Sequence, residues 1–181
     1  MKGIPNLHEQ VLVNTILSEI NGKASSILDS FSGWLLGGFG AASALFVSKY
    51  DSIVKHLNPS EIQEFLFLFL WSLGVGIIQK FLSMIITAHS QGAAAGRDIG
   101  EKYAEKSIML DFEIILSHME KSIFPGARWF VKRSFRKLKN GDLVSNTQKQ
   151  TRLLQVQGFL CLIQAVLVLI AIFRMATSFH N

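Results

Sequence analysis

Charge is what this chain has least of. Of its 181 residues only 17% are Asp, Glu, Lys or Arg, against about a quarter in ordinary soluble domains. The shortage is uneven: three windows are almost free of charge, and one stretch between them holds most of it. A bilayer demands such a distribution, because a charged side chain at its centre costs about 2.5–3.5 kcal/mol on insertion scales. Cysteine is nearly missing as well. The single Cys161 excludes an intrachain disulfide, and its apolar neighbours make it a small buried hydrophobe. The first 28 residues are interleaved with polar groups and lack a basic segment followed by a continuous apolar core, so no cleavable signal peptide is expected.

Catalytic signatures are missing too. GxGxxG and GxxxxGK[ST] loops, which cradle phosphates on backbone N–H groups, do not occur, nor do HExxH, paired CxxC or GxSxG. The glycine-rich GFGAAS at 38–43 has no strand before it, and His8-Glu9 has no second histidine. Arg174 and His180 stand as a lone pair at the C-terminus. Asp98, Glu101 and Glu105 alternate with Arg97, Lys102 and Lys106, which suits i,i+4 ion pairs on a solvated face better than acid–base work. His118 has no chelating companion at metal-binding spacing. The chain is therefore expected to be no enzyme, with no catalytic residue, no metal and no cofactor.

What is present is apolar and helical in pattern, and the expected fold class is all-α: an integral membrane helical bundle with about three transmembrane helices and a cytoplasmic helical region. Residues 1–30 read as an N-terminal amphipathic cytoplasmic helix, with Leu12, Ile16, Leu17 and Ile20 at helical spacing, Asn6 and Glu9 as a capping pair, and a break expected at Asn21-Gly22. Residues 31–88 read as a transmembrane hairpin. Phe31 to Ser48 is uncharged over 18 residues, just enough to cross about 30 Å at 1.5 Å per residue. Asn58-Pro59-Ser60-Glu61 starts the second long helix, with Pro at its first position and Glu closing a capping box. One helix is expected to run on from there, through an apolar span at 65–88 and out as a stalk to Ala104.

Glycine and alanine recur four apart at Gly33, Gly37 and Ala41, at Gly40 and Ala44, and at Gly92, Gly96, Gly100 and Ala104. Residues four apart share a helix face, and small side chains let another backbone approach in lipid. Glycine costs about 1 kcal/mol in a helix relative to alanine, so these positions are expected to pack against helices, with a subunit contact as the sharper reading. Lys80 is the one basic residue inside the second span. It leans back towards its own N-terminus and, with Gln79, is expected to be a polar intramembrane or pore residue. Gln155, Gln157 and Gln164 belong to the same class, because glutamines in spans bond across to neighbouring helices.

Residues 89–152 form the cytoplasmic helical region. Ile108, Phe112, Ile115, Met119 and Ile123 make an apolar stripe, and Pro125-Gly126 ends it. In 127–139, Arg128, Lys132, Arg133, Arg136, Lys137 and Lys139 alternate with Trp129, Phe130, Phe135 and Leu138. Such a segment suits an anionic leaflet, each basic group near the surface contributing about 1 kcal/mol. No nucleic-acid-binding motif accompanies it, so nucleic acid is not an expected partner. Residues 153–181 hold the third transmembrane helix, uncharged from Leu153 to Phe173, and a short tail. Two lysines, Lys49 and Lys55, lie in the first connector and twelve Lys or Arg in 89–152. The positive-inside rule then puts the N-terminus and the basic region inside the cytoplasmic (inner) membrane and the C-terminus outside. The expected partners are the anionic inner leaflet, further copies of the chain, and a cytoplasmic protein. The expected function is a homo-oligomeric pore or channel-like assembly. The alternatives are a non-catalytic membrane anchor or scaffold subunit of a larger complex, and a membrane-acting effector of a bacterial stress or phage-defence system.

Overall fold

The computed structural model describes residues 7–49, 59–105, 114, 115, 118 and 144–178. Almost all of these lie in three long helices: α1 (Leu7–Ser48), α2 (Pro59–Glu105) and α3 (Ser145–Ser178). All three are long and apolar enough to span a membrane. With 42, 47 and 34 residues they measure about 63, 70 and 51 Å at 1.5 Å per residue. The first two are thus about twice the thickness of a hydrocarbon layer.

α2 begins at Pro59 with Glu61 in its first turn. The proline has no N–H to leave unsatisfied there, and the carboxylate favours the positive end of the helix dipole. α1 corrects the expectation of a break at Asn21-Gly22, since the helix runs straight through both residues. The asparagine–glycine pair is a turn signal for chain in water. Here both residues are used inside the protein. Asn21 is buried and donates from Nδ2 to Thr151 Oγ1 at 3.0 Å. A Cβ on Gly22 would meet Ser90 Oγ at 2.4 Å, so only glycine fits against that neighbour.

The chain divides into two compact units. One comprises Met1–Gly22 with Ala88–Arg152, the other Lys23–Thr87 with Leu153–Asn181. In the second unit α1 and α2 run antiparallel, as the successive contacts Ser25–Ser83, Asp29–Lys80 and Phe39–Phe65 require. α1 and α3 run parallel, with Ser25–Gln157 and Ser32–Gln164 both 132 residues apart.

Both units invert the usual order of a soluble protein. Among the described residues twelve polar side chains are buried against seven hydrophobic ones, while Trp34, Phe67, Trp71, Phe81, Phe159, Leu162 and Phe173 lie on the outside. An exposed apolar band around a polar interior is stable in lipid, where chain-to-chain hydrogen bonds and close contact hold helices together. The one apolar cluster sits at the end of the second unit near the start of α2. Phe39, Phe65, Val168 and Ala171 form it, with Phe46, Leu68, Phe69 and Met175 packed around them. Phe39 meets Phe65 and Phe69 edge-on at 5.2 and 5.3 Å between ring centres, a favoured geometry for aromatic pairs.

Candidate functional site, a polar seam within an apolar exterior

The buried polar residues follow a helical register. On α3 the inward positions are Thr147, Gln150, Leu154, Gln157, Cys161, Gln164, Val168, Ala171 and Met175, at alternating steps of three and four. On α2 they are Ile62, Phe65, Phe69, Ser72, Gly76, Gln79, Ser83, Ile86 and Ser90, with the same alternation. That spacing is the seam of a coiled-coil-like bundle. Serine recurs on α1 at 18, 25 and 32, and glutamine on α3 at 150, 157 and 164; each set is buried.

In the second unit Gln157 is held at every polar atom of its side chain. Its Oε1 accepts from Ser25 Oγ at 2.8 Å, and its Nε2 donates to the Ser25 carbonyl at 3.2 Å. Ser25 Oγ also lies 3.2 Å from Ser83 Oγ. A hydroxyl carries one hydrogen and Oε1 can only accept, so Ser83 supplies the hydrogen between the two serines. Gln79 Nε2 donates to the Gln157 backbone carbonyl at 3.2 Å. One layer thus ties all three helices together. One heptad along, Ser32 Oγ donates to Gln164 Oε1 at 2.6 Å. Between the layers the Cys161 thiol, buried and free, points at the Leu28 carbonyl at 4.0 Å.

The first unit repeats the theme with different residues. Ser90 Oγ donates to the Ser18 carbonyl at 2.9 Å, and Asn21 Nδ2 to Thr151 Oγ1. Thr147 Oγ1 donates to Asn14 Oδ1.

Of the five polar intramembrane residues named from sequence, the fold brings three together. Gln79, Gln157 and Gln164 are fully buried in the seam. Gln155 lies on the outer surface instead, two residues off the α3 register. Lys80 also faces outward. Its Nζ sits 2.7 Å from Asp29 Oδ2, with the two side chains 56% and 25% exposed. The sequence reading missed Asp29, which lies just ahead of the charge-free run on α1. A second exposed pair, Arg174 Nη1 to Glu64 Oε2 at 3.0 Å, stands towards the aromatic end of this unit.

The small residues divide differently from expectation. Among the described residues no atom lies within 4 Å of a Cβ built on Gly33, Gly37, Gly40, Gly92, Gly96 or Gly100. Ala41 and Ala44 are exposed, and the Ala104 side chain falls outside the described residues. Trp34, 82% exposed, flanks an open groove of about 490 Å³ on α1 with Ser30, Gly33, Gly37 and Gly38. Among the described residues the glycines that meet a neighbour are Gly22, Gly76 and, more loosely, Gly158, the last against Leu28 Cδ1 at 3.8 Å. A Cβ on Gly76 would come within 2.5 Å of Leu36 Cδ1 and 3.2 Å of Gln164 Nε2. The basic positions Arg128, Lys132, Arg133, Arg136, Lys137 and Lys139, and the stripe residues Ile108, Phe112, Met119 and Ile123, lie outside the described residues. Ile115 and His118 are exposed. No group of three or more His, Cys, Asp or Glu that could hold a metal occurs among the described residues.

These features define a class: an all-helical protein with three helices able to cross a bilayer, polar within and apolar without. Compared with known proteins, the chain matches no family model, no curated protein and no solved structure.

Proposed function

We propose that this chain is an integral protein of the cytoplasmic (inner) membrane, with its N-terminus inside, whose copies assemble side by side into a pore or channel-like ring. The observation that carries the reading is the bare glycine face of α1. Among the described residues nothing lies against Gly33, Gly37 or Gly40, yet each lowers helix stability by about 1 kcal/mol relative to alanine. Close approach of a neighbouring backbone in lipid offsets that loss. Symmetric rings need one such contact repeated around an axis.

The seam then holds each subunit together, since Gln79, Gln157 and Gln164 are used within the chain. Polar groups on the outer surface, such as the Asp29–Lys80 pair and Gln155, would line a passage between subunits. Conduction would be passive, set by pore width and the charge of its lining. The basic segment 127–139 would rest on the anionic inner leaflet.

Mass measurement of the detergent-purified protein tests the assembly, and conductance in planar bilayers tests the pore. Wild-type protein should form one defined oligomer, and Gly37→Leu should reduce it to monomer and abolish conductance. A monodisperse wild-type monomer would sink the reading. It would favour the alternative of a non-catalytic anchor or scaffold subunit, for which the same glycine face meets a different protein.

A further inference from the structure

We infer that the interior of the second unit holds ordered water around Gly76, bound by Ser72, Gln79 and Gln164. All three residues are fully buried, and Ser72 Oγ, Gln79 Oε1 and Gln164 Nε2 have no hydrogen-bond partner in the protein. Buried polar atoms of this kind are rare, and where protein supplies no partner an internal water does.

The three atoms are not scattered. Ser72, Gly76 and Gln79 lie on one face of α2 at steps of four and three. Gln164 Nε2 reaches from α3 to within 3.2 Å of the place a Gly76 Cβ would take. Leu36 Cδ1, 2.5 Å from that same place, and the Gln164 amide together occupy the position of the missing side chain, with one orphan a turn before Gly76 and another a turn after.

Turning Gln79 would set its Oε1 against the Gln157 carbonyl, which its Nε2 now meets at 3.2 Å, so that amide has one orientation. Gln164 is placed with its Oε1 accepting from Ser32 Oγ at 2.6 Å. The site therefore presents an N–H donor, a carbonyl acceptor and a hydroxyl able to do either. A cation would be opposed by the Gln164 N–H and an anion by Gln79 Oε1. Water satisfies both. Gln157, one heptad away on the same helix, supplies the contrast, because its Oε1 and Nε2 are both paired with Ser25. This inference is independent of the pore, since a trapped water neither needs nor establishes conduction.

The test is water-to-amide magnetisation transfer on the full chain, ¹⁵N-labelled at glutamine side chains, in micelles or bilayers. The Gln164 and Gln157 amide signals are assigned by their loss in Gln164→Leu and Gln157→Leu. The expected result is a water cross-peak at the Gln164 amide and none at Gln157. Gly76→Ala, whose methyl group would crowd Leu36 and the Gln164 amide, should weaken the Gln164 cross-peak. A Gln164 amide without contact to water in the wild-type protein overturns the inference, whether or not any variant folds.

Discussion

At the scale of single residues, the pair formed by Lys80 and Asp29 decides how a charge is carried on an apolar surface. An unpaired charge at the bilayer centre costs about 2.5–3.5 kcal/mol on insertion scales, whereas a carboxylate 2.7 Å from the ammonium presents a neutral pair. Lys80→Ala should therefore destabilise the protein more than Lys80→Ala combined with Asp29→Asn. Unfolding titrations in mixed micelles would show the order, and equal losses would mean the two groups act separately. Gly76 and Gly37 make a second contrast. Alanine at 76 must displace Leu36, and overpacking of this kind costs about 1–3 kcal/mol. Alanine at 37 meets nothing among the described residues and should not lower the melting temperature of a dissociated monomer. Sequence spacing did not single out Gly76, whose contact with Leu36 is set by the fold. A four-residue recurrence marks a face, but only the neighbour tells whether anything lies on it.

At the scale of elements, the three helices were legible as stretches empty of charge, and the start of α2 was legible at Pro59. The seam was not, for a physical reason. In water-soluble helices apolar periodicity marks the buried face, whereas here the polar residues mark the interior. Serines at 18, 25 and 32 and glutamines at 150, 157 and 164 carry the register in plain view once polarity is read inside out. The Gln157 contacts should contribute measurably. Hydrogen bonds between membrane helices average about 0.6 kcal/mol and reach about 1.7. A side chain bonded at both ends to Ser25 belongs near the upper figure. Gln157→Leu should thus cost about 1–2 kcal/mol, while Gln155→Leu, on the outer surface, should stay within about 0.5 kcal/mol. Equal effects in a denaturation series would remove Gln157 from the seam.

At the scale of the whole molecule, three helices that alternate in direction put the two chain ends on opposite faces of any membrane they cross. Cysteine introduced at Gly3 or at Asn181, in a Cys161→Ser background, tests this with a membrane-impermeant thiol reagent. Label added from outside should reach position 181 and not position 3, given the basic excess in 89–152. Labelling of both, or of neither, would refute three spans. The three helices long and apolar enough to cross a membrane are the feature that charge distribution makes legible. The pairing of α1 with α3, 132 residues apart, depends on packing between distant segments and has no local signature.

The spacing of the seam also bears on how the chain finds one alignment and no other. Serine on α1 and glutamine on α3 return every seven residues, so sliding one helix past the other by about 10.5 Å would re-form most of the same bonds. By themselves these contacts leave the vertical position of α3 ambiguous. The aromatic cluster removes the ambiguity. The same slide would bring Gln164 or Ser178 to the level where Ala171 now sits with Phe39 and Phe65, replacing a methyl group with a polar side chain among rings. Those phenylalanines act as the end-stop of a ruler whose serine and glutamine marks are alike.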